Sequence, residues 1–266
     1  NSDGFSLGSE QSVNQNNDAF VAWAFDGGTS NATNTDGSIT STVRANASAG
    51  FSIVTYTGSG SLATIGHGLN AAPELIIVKS RTNTENWAVY SKAAGAANRL
   101  ILNLTVSAAS GNEYWNSTDP TSSVFTVNTV GQANGSGQNY VAYCFAPVEG
   151  CSAFGSYVGN GSSDGPMVFT GFRPRWVMIK RHTTTGSWMI LDSERNQYNL
   201  TNNKLAANSS AEENNNSIVG SGDKNSLDFL SNGFKLRSTN GETNGSGAGF
   251  IYACFSEHPF KTARAR

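Results

Sequence analysis

The chain has 266 residues, of which 38% are hydrophobic and only 14% charged, with 29 Gly, 6 Pro and a formal net charge of −2. That balance excludes a nucleic-acid binder, which needs a basic patch to release counterions. It also disfavours long Glu- and Lys-rich surface helices, and no apolar run approaches the roughly 20 residues of a membrane-spanning helix. The three cysteines, Cys144, Cys151 and Cys254, show no C-x-x-C spacing, so neither a disulfide framework nor a zinc site is expected. Cys144 and Cys254 read as small buried hydrophobes.

The first residues, "NSDGFSLGSE", lack an initiator Met and a signal-peptide pattern, and the expectation is a processed product or part of something longer. "GFSLG" (4–8) fits the G-x-S-x-G spacing of a nucleophile elbow, but no strand–turn–helix context surrounds it. Alternation of Phe5 and Leu7 inward with Ser6 outward explains it without catalysis. Phe5 stands fifteen residues before Phe20, as Phe125 stands fifteen before Tyr140. Residues 1–26 therefore read as the closing hairpin of a preceding β-domain, with residues 3–26 forming two adjacent antiparallel strands. Residues 27–50 read as a polar, extended linker with room to pack locally.

From residue 51 the chain repeats itself. "YTGSG" (56–60) matches "YVGNG" (157–161), "APELIIVK" (72–79) matches "RPRWVMIK" (173–180), and "WAVY" (87–90) matches "WMIL" (188–191), all at an offset of 101 residues. The offset has grown to 109 where "SVFTV" (123–127) meets "NGFKL" (232–236). It is 110 where "NGSGQNYVAYCF" (134–145) meets "NGSGAGFIYACF" (244–255). An insertion in the second copy, seated in 206–226, accounts for the drift. Short runs rich in β-branched and aromatic residues, separated by Gly, Asn and Pro, are strands. "LIIVK" and "WVMIK" are continuous rather than alternating, which implies strands covered on both faces. "AAGAANRLILN" (93–103) is the one short helix expected. The fold expected is all-β: two tandem β-sandwich-like domains, 51–150 and 151–266.

The candidates for chemistry are few. "GSGDKNS" (220–226) lacks the spacing of a phosphate loop. His67, His182 and His258 are isolated, with no second ligand at metal spacing, and His67 is expected as a hydrogen-bonded turn residue. Asp192 and Glu194 alternate along a strand end and would point the same way, but the first copy has Ser91 and Ala93 there, so a strand exit is preferred to an acid–base pair. Trp87 and Trp188 occupy matching positions and are assigned to packing. Tyr114 and Trp115 lie in the polar loop "SGNEYWNSTDPTSS" (110–123) without a counterpart in the second copy. Either Trp115 plugs the end of the first sandwich, or the pair is exposed and a sugar ring stacks there, with Asn112 and Asp119 bonding its hydroxyls. No catalytic residue, metal ligand or cofactor is assigned.

Several long motifs carry a resemblance: "NTDGSITSTVRANASAGFSIVTYTG" (34–58), "HGLNAAPELIIVKSR" (67–81), "FGSYVGNGSSDGPMVFTGFRPRWVMIKR" (154–181), "LDFLSNGFKLR" (227–237) and "FSEHPFKTARAR" (255–266). The chain resembles the repeated β-domains of unknown function that close large structural proteins of marine bacteriophages. The resemblance implies a lectin-like or SPRY-like sandwich ahead of the repeats, of which residues 1–26 would be the last strands. It also implies location in the virion, a tail-fibre or host-recognition role, other virion proteins and host-surface glycan as partners, and a symmetric trimer. A decoration or shaft protein with a purely structural role is the alternative.

Overall fold

The computed structural model describes residues 4–213 and 226–257. The first half contains β1 (Ala32–Asn34), β2 (Ser41–Asn46), β3 (Phe51–Thr57), β4 (Ala63–Gly66), β5 (Leu75–Ser80), β6 (Ala88–Ser91), β7 (Asn98–Ile101), β8 (Ala109–Ser110), β9 (Val124–Val127) and β10 (Asn139–Phe145). The second contains β11 (Ser152–Val158), β12 (Met167–Phe169), β13 (Pro174–Arg181), β14 (Trp188–Asp192), β15 (Lys204–Ala206), β16 (Leu227–Leu230), β17 (Gly233–Leu236) and β18 (Gly249–Ser256). Four-residue helices interrupt them: α1 (Gln11–Asn14), α2 (Asn112–Trp115), α3 (Gly131–Asn134) and α4 (Gly241–Asn244).

The fold is all-β and sandwich-like. The large sheet of the first half runs β1-β2-β3-β10-β5-β6-β7-β8, and that of the second runs β11-β18-β13-β14-β15. Setting aside the strands at the first sheet's ends, the order is the same in both: first strand, closing strand, third strand, then two hairpin neighbours. Each large sheet is faced by a small one, β4-β9 in the first half and β12-β17-β16 in the second.

Period-two alternation assigns every face. In β10, Tyr140, Ala142 and Cys144 enter the core beneath β4-β9, together with Val54, Ile76, Val78 and Phe125. In β18, Phe250 and Cys254 do the same with Ile179, Leu191 and Phe234. The alternate residues form a third core between the two large sheets, where Phe51, Leu75, Val89 and Phe145 meet Met178, Trp188, Ile190 and Ile251. The layers therefore stack as small sheet, large sheet, large sheet, small sheet. "LIIVK" and "WVMIK" are covered on both faces as expected, with the second cover supplied by the other half.

This junction is hydrogen-bonded as well as apolar. Trp188 Nε1 donates to the Ile101 carbonyl at 2.9 Å. Lys180 Nζ donates to the carbonyls of Thr105, Arg181 and Gly186 at 3.1, 2.8 and 2.7 Å. All three protons of the ammonium are thereby used, which is what a fully buried lysine requires.

The repeated "NGSG" encodes a buried node. Asn134 closes α3, fully buried; its Oδ1 accepts the Ser59 N–H at 2.8 Å, and its Nδ2 donates to the Ser61 and Asn128 carbonyls at 2.6 and 2.8 Å. Asn244 repeats this toward Asn160, Ser162 and Ser238 at 2.9, 2.8 and 2.8 Å. The chain passes so closely that a Cβ at Gly58 would lie 2.4 Å from the Gly135 carbonyl oxygen, and one at Gly159 2.4 Å from that of Gly245. The node clips the first strand's turn to the closing strand. Asn134→Ala strips one donor and two acceptors of partners, and a loss of about 2–3 kcal/mol is expected in a denaturant melt.

Three expectations are corrected. Residues 27–50 are not a linker: β1 pairs with β2, and β2 with β3, as an extension of the first sheet. The pattern was present in "STVR", where Ser41 and Val43 are buried and Thr42 and Arg44 exposed, but Thr and Asn disguised it. Residues 93–103 are not a helix; a single 3-10 turn, Lys92–Ala94, precedes β7, which pairs with β6. Residues 4–26 form no strand pair. They hold α1 and extended chain, and Phe5 and Leu7 are exposed, not inward. The insertion at 206–226 falls largely outside the described residues.

Candidate functional site

The loop 110–123 is the place where the sequence offered a ligand platform. The structure turns both of its aromatic rings inward. Tyr114 is 4% and Trp115 1% exposed, and both belong to the core of the first half. The cause is local. Gly111 opens the four-residue helix α2, and Asn116 and Ser117 reverse the chain with positive φ. The turn is then fastened to the segment that follows β9: Asn128 N–H donates to the Tyr114 carbonyl at 2.9 Å, and Val130 N–H to that of Glu113 at 3.1 Å. Trp115 meets Tyr90 edge to face with 6.0 Å between centroids. Tyr114 Oη donates to Gln132 Oε1 at 2.8 Å, and the Arg99 guanidinium sits over its ring. Trp115 thus plugs the end of the sandwich, and the exposed stacking platform is overturned.

The polar candidates remain at the surface but are engaged within the loop. Asn112 is exposed and its Oδ1 accepts from Ser117 Oγ at 3.0 Å. Asp119 is exposed and accepts the Tyr90 hydroxyl at 2.9 Å. Burial, the hydrogen bond and the Asp119 charge together push the Tyr90 phenol upward, so it serves as a fixed donor, not a proton-transfer group.

The other candidates also have structural duties. His67 is fully buried; its Nδ1 accepts the Leu69 N–H at 3.3 Å, and its Nε2 donates to the Thr121 carbonyl at 3.2 Å. Burial lowers its pKa, against the bond to Thr121, which raises it, and Nδ1 as an acceptor requires the neutral ring. Asp192 and Glu194 do not face one site. Asp192 is buried, accepts the N–H groups of Glu194 and Arg195, and pairs with Arg195 Nε at 2.7 Å, while Glu194 is exposed and pairs with Arg175. Cys144 and Cys254 are buried free thiols, and Cys151 is partly buried. Burial pushes Lys180 down to about 8, against Glu242, which raises it, while Arg181 lowers it further.

The cleft lined by Leu75, Phe154, Met178, Trp188 and Ile251 lies in the junction between the halves and has room for about one water molecule. Among the described residues no cluster of three or more His, Cys, Asp or Glu could hold a metal ion, and no helix is long and apolar enough to cross a membrane.

One aromatic missed by the sequence reading stands out. Tyr198, in the Asn-rich loop after β14, is 84% exposed. Its neighbours are engaged: Asn196 Oδ1 accepts the N–H groups of Asn202 and Asn203, and Asn199 bonds both backbone groups of Phe229. The run "NQYNLTNN" (196–203) was the available signal.

A family model described as a domain of unknown function (DUF7483) matches residues 1–259, and the chain belongs to that family. No curated protein and no solved structure matches it.

Proposed function

We propose that the protein is a non-enzymatic structural component of a bacteriophage particle, a shaft or decoration module whose partners are other virion proteins. The observation that carries this reading is the use of the loop aromatics Tyr114 and Trp115 as core, in a stack whose large sheets are each covered on both faces. Such a stack uses Tyr114 and Trp115 for cohesion. The phage context rests on the resemblance of the long motifs around the two repeats, as does assembly into a closed symmetric trimer.

Adhesion to a host-surface glycan is the second reading, and Tyr198 is the observation that favours it. An exposed ring amid asparagines has the chemistry of a sugar platform. Affinity at one such site would be millimolar and would work only through multivalency.

Mass spectrometry of gradient-purified particles, with antibody labelling in the electron microscope, tests the structural reading. The protein is expected at stoichiometric copy number along a tail or shell. Its absence from particles overturns both readings. A glycan array separates them: saturable binding lost in Tyr198→Ala selects the adhesin.

A further inference from the structure

The segment 4–26 carries the same closing element as the two halves. At offsets of 120 and 110 residues, Asn14, Asn134 and Asn244 each end a four-residue helix. Each donates Nδ2 to the carbonyl six residues earlier: Gly8 at 2.6 Å, Asn128 at 2.8 Å and Ser238 at 2.8 Å. Each is followed by a turn through positive φ, at Asn17 (66°), Gly137 (70°) and Gly247 (70°). The extended residues after the turn match β10 and β18.

The two faces of this third closing strand differ. Val21, Trp23 and Phe25 correspond to residues that pack between the large sheets, and this side already makes ring contacts there, although Trp23 and Phe25 are still 38% and 40% exposed. Trp23 meets Trp176 at 6.2 Å. Phe25, Phe145 and Phe255, equivalent in the three copies, meet one another at 5.5, 4.9 and 5.7 Å. Phe20, Ala22 and Ala24 correspond to core residues, yet they are exposed. Phe20 is 51% exposed where Tyr140 and Phe250 are fully buried, and Phe5 is 62% exposed where Phe125 is 1%. Asn14 keeps its helix bond, but among the described residues nothing takes the part that Ser59 and Ser61 play for Asn134.

We propose that this face is the docking site for the opening half of a third copy of the unit, carried ahead of Asn1 on the same polypeptide. The order of both described copies, opening strands before closing strands, selects that source. The occupant's chemistry follows from the copies: an alternating apolar strand running into Tyr-x-Gly-x-Gly, as in Phe51–Gly60, and a continuous apolar strand, as in Leu75–Ser80. These strands would flank residues 18–25 on both edges, adding main-chain hydrogen bonds where an unpaired strand invites pairing. Three large sheets would then share one aromatic junction at Phe25, Phe145 and Phe255.

The test joins a copy of residues 29–120 to Asn1, so that Phe5 follows the added segment as Phe125 follows Pro120. Hydrogen exchange is measured across 4–26 in this protein and in the original chain. Amides 18–25 should slow by about 100-fold or more, toward those of 139–145. Asn14→Ala should remove that protection in the extended protein and change nothing in the original. Exchange as fast as in the original overturns the proposal, as does protection of 18–25 in the original chain through self-association. Should the extended protein not fold, a peptide copying Phe51–Ser61 decides the matter. Saturable protection of 18–25, lost when its Gly58 is Ala, supports the proposal, and no protection at millimolar peptide overturns it.

Discussion

Trp115→Ala is expected to lower the unfolding free energy by about 3–5 kcal/mol, the range for deleting a buried aromatic ring. The indole is fully enclosed against Tyr90 and Tyr114 at the end of the first sandwich. Its removal leaves a cavity that the short helix above cannot fill, because α2 is tied by main-chain bonds at Asn128 and Val130. The ring's role is volume and not polarity: Nε1 is buried without an acceptor. Trp115→Phe should therefore cost far less, about 1 kcal/mol, since it keeps most of the ring and removes an unpaired donor. Denaturant melts with unchanged m-values distinguish these outcomes. A Trp115→Ala protein as stable as the original would put the indole back at the surface and restore the loop as a glycan platform.

How much of this was legible in the sequence depends on what each signal encodes. Offsets of 101 to 110 residues place Phe125 with Phe234 and Tyr140 with Phe250; Tyr140 and Phe250 lie on the closing strands of large sheets with the same strand order, and Phe125 and Phe234 lie in the small sheets that face them. Period two separates faces, and Val89 and Tyr90 lie on opposite sides of β6. Period says only that a face is covered, not by what, so the junction between the large sheets was invisible in "LIIVK". Edge strands carry the weakest pattern: β2 holds one large apolar side chain, Val43, and reads as linker. Loop aromatics are the hardest case. Polar neighbours say that the chain is at the surface, but the direction of Trp115 is set by the turn at Asn116 and Ser117 and by its packing against Tyr90. The Asn node was half visible. The repeated "NGSG" announced a shared device, but its partners in "TGSGS" lie about 75 residues away and meet it only in the fold.

Stability should peak near pH 9 and fall steeply above pH 10. Burial pushes the thiols of Cys144 and Cys254 from 9.0 up to about 12, and the Tyr252 phenol from 10.0 up to about 12. Burial also raises Tyr56 and Tyr157. The folded chain holds these protons where the unfolded chain releases them. Their stabilisation is therefore complete below the unfolded pKa and lost as pH rises toward the folded one. Each thiol removes about 1.4 kcal/mol per pH unit between 9 and 12. Lys180 acts in the opposite sense. Its folded pKa of about 8 lies below the ordinary 10.5, so the cost of its buried charge is relieved as pH rises through that interval. Between pH 8 and 9 the lysine acts alone and stability rises. Above 9 the two thiols outweigh it, and above 10 the tyrosines join them. Cys144→Ala with Cys254→Ala should flatten the alkaline limb by about 2.7 kcal/mol per pH unit, whatever it does to stability at pH 7. Urea melts every half unit from pH 7 to 11 provide the slope. An alkaline limb equally steep without the two thiols would mean that they open to solvent before the sheets separate.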